Sequence, residues 1–199
     1  MKKLHLSNLY CWSVFNEERN IDFNGILWIS SLGNVIIDPV PLEKHDIKHL
    51  ESFGGASHVI ITNSDHIRDT ENILYLTGAK CWGPIEEKEK FPFTCDEWLK
   101  DGDQPISGID IFSLNGSKTK GELAILIDKK TLITGDLIRS HEGGRLSMLP
   151  DEKLQNRMLA VESVKRMASI ASIQAVIPGD GWPIFKNGHQ ALLELCQEI

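Results

Sequence analysis

The sequence predicts a mixed α/β domain in which two sheets pack face to face with helices outside, an αββα sandwich. Three observations carry this. Strand-like apolar runs are interleaved with amphipathic helical stretches; the arrangement occurs in two similar halves; and HVIIT is a β-branched run of the kind that lies buried inside a sheet. A parallel doubly wound sheet is the main rival, because βαβα alternation fits parts of the same pattern. The 199 residues suit one well-buried core, so the chain is read as a single domain over 1–199.

Leu9 to Phe15, GILWISS and NVIID read as short strands of a β-meander, punctuated by Gly25 and Gly33-Asn34. Pro39-Val40-Pro41 ends the third strand. Leu42, Ile47, Leu50 and Phe53 then mark a short amphipathic helix closed by Gly54-Gly55. HVIIT is the next strand, and Thr70 to Leu76 returns to helical spacing after a polar loop. Lys80 to Gly83 is a further short strand, whereas Ile85 to Gly102, with its Glu-Lys run, reads as loop and helix. Ile109 to Leu114, Leu123 to Ile127 and Thr131 to Thr134 form a second strand group, with turns at Asn115-Gly116 and Asp128-Lys129-Lys130. Between Pro150 and Ile173, residues Leu154, Met158, Val161, Val164, Ala168 and Ala171 recur at helical spacing behind Asp151 as N-cap. AVIPGD then repeats the strand-and-polar-loop arrangement, and Gln190 to Glu198 closes as a helix.

A net charge of -7 offers no basic footprint for a phosphate backbone, so nucleic acid is not an expected partner. No apolar run approaches a membrane span, and MKKLHLSNLYCWSVF turns polar too soon for a signal peptide. The expectation is a cytoplasmic protein with a small-molecule substrate or ligand and no membrane partner. Cys11, Cys81, Cys95 and Cys196 contain no CxxC pair and are read as buried or idle thiols.

Three polar loops each follow an apolar strand: TNSDHIRD, GDLIRSHEGG and GDGW. Their convergence at one sheet edge would make a site. Asp136 and Asp180 sit beside glycines, which let a ligand or ion approach the backbone closely. His66 is a candidate for proton transfer, with an imidazole among several carboxylates. Other motifs have plainer readings. His45 and His49 are spaced as in a zincin helix, but Asp46 replaces the required Glu and a solvated helix face is expected. GSKTKGEL has the glycine spacing of a phosphate loop, yet Glu122 stands where the Lys is needed. Trp182 is assigned to core packing ahead of a pocket wall, and His141 to Arg145 to a flexible rim.

The order of these pieces resembles the metallo-β-lactamase fold superfamily. NGILWISSLGNVIIDP is similar to its opening strands, ending in the Asp-bearing turn at Asp38. VIITNSDHIRD falls where the family carries its His-x-His-x-Asp-His loop, GSKTKGELAI where it carries Gly-His-Thr-Pro-Gly-Ser/Glu-Leu, TGDLI at its Gly-Asp loop and PGDG at its late Gly-His-Gly. The likeness runs from about residue 20 to 185. With Thr62 ending the strand, the resemblance puts Asn63 and Asp65 at the first two His positions and Ile67 and Arg68 at the Asp-His pair. Lys118 falls at the third His and Asp180 at the fourth, leaving Asp136 as the one family ligand retained. In a second register Asp65-His66 is the Asp-His pair, which would push Ile61 into the site.

Two outcomes stay open from these residues. Asn63, Asp65, Asp136 and Asp180 could supply an oxygen-rich site for one divalent metal, Mg²⁺, Mn²⁺ or Ca²⁺ before Zn²⁺. Alternatively Arg68 and Lys118 form an ion-pair network with the carboxylates and replace the metal. The resemblance implies a hydrolase-like protein with His66, Arg68 and Lys118 as its working side chains. A non-catalytic binding or interaction module on the same fold is the alternative.

Overall fold

The computed structural model describes residues 1–199. Its first half is a seven-stranded sheet whose spatial order follows the chain. Strands β1 (Lys2–Lys3), β2 (Leu9–Asn16), β3 (Ile21–Trp28) and β4 (Val35–Ile37) run antiparallel to one another. Helix α1 (Lys44–Ser52) then carries the chain over so that β5 (His58–Ile60) pairs parallel to β4. Helix α2 (Thr70–Thr77) does the same for β6 (Lys80–Pro84), and β7 (Glu97–Leu99) completes the sheet in parallel.

The second half opens with β8 (Ile109–Ser113), β9 (Leu123–Ile127) and β10 (Thr131–Thr134), an antiparallel meander. A hairpin of β11 (Ile138–Glu142) and β12 (Arg145–Met148) follows, then helix α3 (Arg157–Ala168). Strand β13 (Ala175–Pro178) returns parallel to β10, and α4 (Gly188–Glu198) ends the chain. The first sheet is antiparallel over β1–β4 and parallel over β4–β7, and the second is antiparallel except where β13 joins β10; a doubly wound fold would be parallel throughout, which removes that rival.

Side-chain alternation explains the layering. In β4 and β9, Val35, Ile37, Leu123, Ile125 and Ile127 face the space between the sheets, with Ile60 of β5, Ile133 of β10 and Ile177 of β13. Their neighbours point the other way: Leu27, Ile36 and Val59 pack beneath Leu50 of α1 and Ile73 of α2. Ala124, Leu126, Leu132 and Val176 likewise pack beneath Val164 of α3 and Leu192 of α4. Strands covered on both faces need consecutive apolar residues, and each such side chain contributes about 1.5–3 kcal/mol by leaving water.

Three expectations change. Residues 85–102 hold a 3-10 turn (Ile85–Lys90) and strand β7, because pairing with β6 fixes Glu97–Leu99 where local propensity does not. Helix α3 starts later than Asp151, at Asn156, whose side chain accepts from the Leu159 amide while Asp151 pairs with Arg157. The expected rim at 141–145 belongs to the β11–β12 hairpin. No helix is long and apolar enough to cross a membrane.

Candidate functional site

The C-terminal ends of β4, β5, β10 and β13 deliver the three polar loops and Asp38 to one place, with Lys118 arriving from the β8–β9 connection. They border a cavity of about 320 Å³, whose opposite wall is Asn16, Glu18, Arg19 and Phe23. A larger cavity, about 870 Å³, opens at the other end of β10 and β13 around Lys130 and Gln174. The α4 amides there are already satisfied, Gly188 by the Gln174 carbonyl and His189 by that of Ile173.

The innermost group is Asp38, fully buried at a left-handed position, φ 48°, which Asp tolerates. Its Oδ1 accepts from the Thr62 amide at 2.8 Å, and its Oδ2 lies 2.6 Å from the Thr62 hydroxyl and 2.8 Å from His66 Nδ1. Burial pushes the Asp38 carboxyl up, but the charge and hydrogen bond of His66, with Arg68 and Thr62, outweigh it and hold it below the ordinary carboxylate range. That anchor turns the other imidazole nitrogen into the site. His66 Nε2 stands 3.9 Å from Asp136 Oδ1 and 3.8 Å from Asp180 Oδ1, and the three donor atoms lie within 4.8 Å of one another.

Arg68 reaches the same place from a strained backbone, φ 44°. Its guanidinium donates to Asp180 Oδ1 at 2.9 Å and to the Asn24 carbonyl at 2.9 Å, with the Asp38 and Gly179 carbonyls at 3.4 and 3.3 Å. Four contacts, on β3, the residue after β4 and the β13 loop, make it a cross-tie between segments far apart in sequence. Asn63 is also fully committed. Its Oδ1 caps the Asp65 amide at 2.9 Å and its Nδ2 donates to Asp136 Oδ2 at 3.3 Å, so an N–H faces the carboxylate. Asp65 turns outward, paired with Lys118 at the cavity mouth, both side chains being about 40% exposed. Burial lowers the Lys118 ammonium, but the Asp65 hydrogen bond with the Asp136 and Asp65 charges raises it above its ordinary value.

The structure therefore brings Asn63, His66, Arg68, Asp136 and Asp180 together and leaves Asp65 with Lys118 at the mouth. The glycines have a different use from the one expected. A Cβ on Gly135 would lie 2.7 Å from Asn63 Nδ2, and one on Gly179 would lie 2.5 Å from the His66 ring. They make room for the protein's own side chains. Trp182 is 60% exposed and does not pack in the core. His45 is exposed as expected, while His49 packs on Tyr10 and Phe53.

Sequence reasoning missed three groups. Arg139 is a buried guanidinium with no hydrogen bond from Nε and only a 3.8 Å approach to Asp180. Glu122 is buried and accepts from the Ser117 hydroxyl and, at 2.9 Å, from the Leu137 amide. Burial and then the Asp136 charge push its carboxyl well above the usual range. Glu87 accepts from the amides of Ser64 at 2.8 Å and Gly121 at 3.3 Å. A charged residue directly against apolar LAILI or LITGDLI was the available signal for the first two.

Solved structures place this architecture. Over 98% of this chain and 94% of the other, it superposes on the DIM-1 metallo-β-lactamase with a TM-score of 0.76 at 18% identity. The metallo-β-lactamase from Pontibacter korlensis is similar over 100% of this chain and 98% of its own, TM-score 0.76 and 15% identity. That from Erythrobacter litoralis matches over 99% and 96%, TM-score 0.77 and 11% identity. Such likenesses define the fold class, the metallo-β-lactamase fold. The sequence also matches the metallo-beta-lactamase superfamily over residues 1–199, and the chain belongs to that hydrolase-like family. No curated protein sequence matches it.

Proposed function

We propose that this chain is a hydrolase-like protein whose site works without the family's metal, using His66 backed by Asp38 as its acid–base group on a small anionic substrate. The observation that carries this reading is the placement of Arg68, a permanent cation bonded to Asp180 in the loop where the resemblance calls for an imidazole. The donor set points the same way. Imidazole ligands suit zinc, and the resemblance aligns Asn63, Asp65, Arg68, Lys118 and Asp180 with the family's histidines. Asn63 presents an N–H to Asp136, and Asp65 is engaged by Lys118. His66, Asp136 and Asp180 are close enough to share a cation, but Arg68 and Arg139 already answer the Asp180 charge. These residues do not fit the family's metal arrangement.

The geometry supports a simple division of work. Asp38 fixes the orientation of the imidazole through Nδ1, as the carboxylate does in a His–Asp pair. His66 Nε2 is too far from Asp136 and Asp180 for direct hydrogen bonds, at distances a bridging water or substrate hydroxyl spans. A proton taken there by Nε2 leaves an oxygen nucleophile beside the substrate. Lys118, which lines the cavity at its mouth, is placed to receive the substrate's anionic group or charge developing on the carbonyl or phosphoryl oxygen.

Elemental analysis of protein purified without chelators, followed by a panel of anionic esters, tests this. Far less than one equivalent of any metal is expected, with turnover unaffected by chelators and lost in His66→Asn. One equivalent of zinc, manganese or magnesium, with activity that a chelator removes, would overturn the metal-free reading. Binding of small anions with no turnover would favour a binding module.

A further inference from the structure

Away from the site, the cysteines are of two kinds. Cys11 and Cys196 have no thiol neighbour, whereas the buried sulfurs of Cys81 and Cys95 lie 3.4 Å apart. We propose that Cys81 and Cys95 are a reversible disulfide site, which latches the 85–94 segment against β6.

The backbone holds the two thiols face to face. The Cys81 amide donates to Asp96 Oδ2 at 2.8 Å, and the Asp96 amide donates to the Cys81 carbonyl at 2.8 Å. Parallel pairing of β6 with β7 begins one residue further on, at Trp82 and Glu97. Space for the Cys95 sulfur exists because position 83 is glycine; a Cβ there would stand 3.2 Å from it. Closing the sulfurs to a bond of about 2.05 Å requires side-chain rotation and little backbone movement. The Cys95 contact and burial together raise the Cys81 thiol, so the closed protein reacts slowly. Attack begins when the segment opens.

The oxidant is a low-molecular-weight disulfide. One cysteine thiolate attacks it, releasing one small thiol and forming a mixed disulfide. The second cysteine then displaces the remaining small thiol. Both cysteine protons end on the two released thiols, and the two electrons lost by the pair reduce the small disulfide. The latched segment includes Glu87, whose carboxylate holds the Ser64 amide of the site loop and the Gly121 amide. Oxidation therefore tightens a strut of the site from outside it.

The full-length native protein, treated with oxidised glutathione and then alkylated, tests the proposal by non-reducing peptide mapping. A Cys81–Cys95 link is expected, reversed by dithiothreitol, with Cys11 and Cys196 still alkylated after denaturation. Cleavage within 85–94 by a nonspecific protease should slow on oxidation. Cys11→Ala with Cys196→Ala should keep both effects, and Cys81→Ala or Cys95→Ala should lose both. A lasting glutathione adduct on either thiol, a link to Cys11 or Cys196, thiols left free in the native protein, or unchanged cleavage would overturn it.

Discussion

One short loop carries two kinds of charge. His66 is buried and Arg68 nearly so, their side chains only 4% and 10% exposed, and each makes bonds to groups remote in sequence. Asp65, in the same loop, is 43% exposed and pairs with Lys118 across the cavity mouth. Burial decides what each pair can do. A largely desolvated cation beside Asp180 cannot be removed without leaving that carboxylate only the 3.8 Å approach of Arg139, whereas a screened surface pair contributes little to stability and stays free to change partners. The inner half ties strands together, and the outer half is where a ligand can compete.

Removing Arg68 should break that contrast most severely. Arg68→Ala leaves Asp180, 2% exposed, without its closest cation and frees the Asn24 carbonyl. A loss of about 3–5 kcal/mol is expected in urea titration, since breaking one side of a buried pair costs that much. Arg68→Lys should recover only part, because an ammonium cannot fork between Asp180 and the carbonyls. A loss below about 1 kcal/mol, the range of exposed pairs, would sink the cross-tie idea.

Asp38 gives the next effect. Asp38→Asn keeps an acceptor for the Thr62 amide but removes the charged partner of His66, at about 1–3 kcal/mol. The pH dependence has a definite sign. The folded pKa of Asp38 lies below its unfolded value, so its stabilisation is full above about pH 4 and disappears as pH falls through the folded value. Asp38→Asn should flatten this acid limb. Glu122 works oppositely. Its folded pKa is raised, so stability falls as pH rises from the unfolded pKa toward the folded one. Glu122→Gln should lose that decline, and its gain over the native chain should grow in thermal melts as pH rises above the ordinary carboxylate range. A constant difference between the two proteins would show that Glu122 is charged in the fold.

The same contrast separates what the sequence told from what it hid. The layers were readable because strands such as LAILI and HVIIT must be apolar on both faces, and the five landmarks fixed their order. Strand β7 was hidden because EWL has no pattern of its own and exists through pairing with β6. In the site, Arg68 and Asp180 could be suspected of pairing because the resemblance put both at ligand positions. The Asp38–His66 bond could not, since it joins residues 28 apart through the end of β4 and the β5 loop. Asp65 looked equivalent to its neighbours in sequence. The 3-10 turn at Ser64–His66 rotates its side chain out and that of His66 in.

The outer pair offers the smallest stability effect and the sharpest separation of stability from function. Lys118→Ala removes an ammonium whose side chain is 37% exposed, leaving Asp65 in contact with water. The expected cost is about 0–1 kcal/mol, screened further by salt. If the mouth receives an anionic substrate, the same variant should weaken its binding about tenfold or more, because a charge-assisted contact of at least ~1.4 kcal/mol disappears. Asp65→Asn makes the converse change, since it releases Lys118 from its partner and should tighten anion binding while leaving the melting temperature almost unchanged. Opposite shifts in calorimetric Kd for these two variants, at nearly equal stability, would assign the outer half to the ligand. Equal weakening by both would instead make the Lys118–Asp65 pair a structural closure of the mouth.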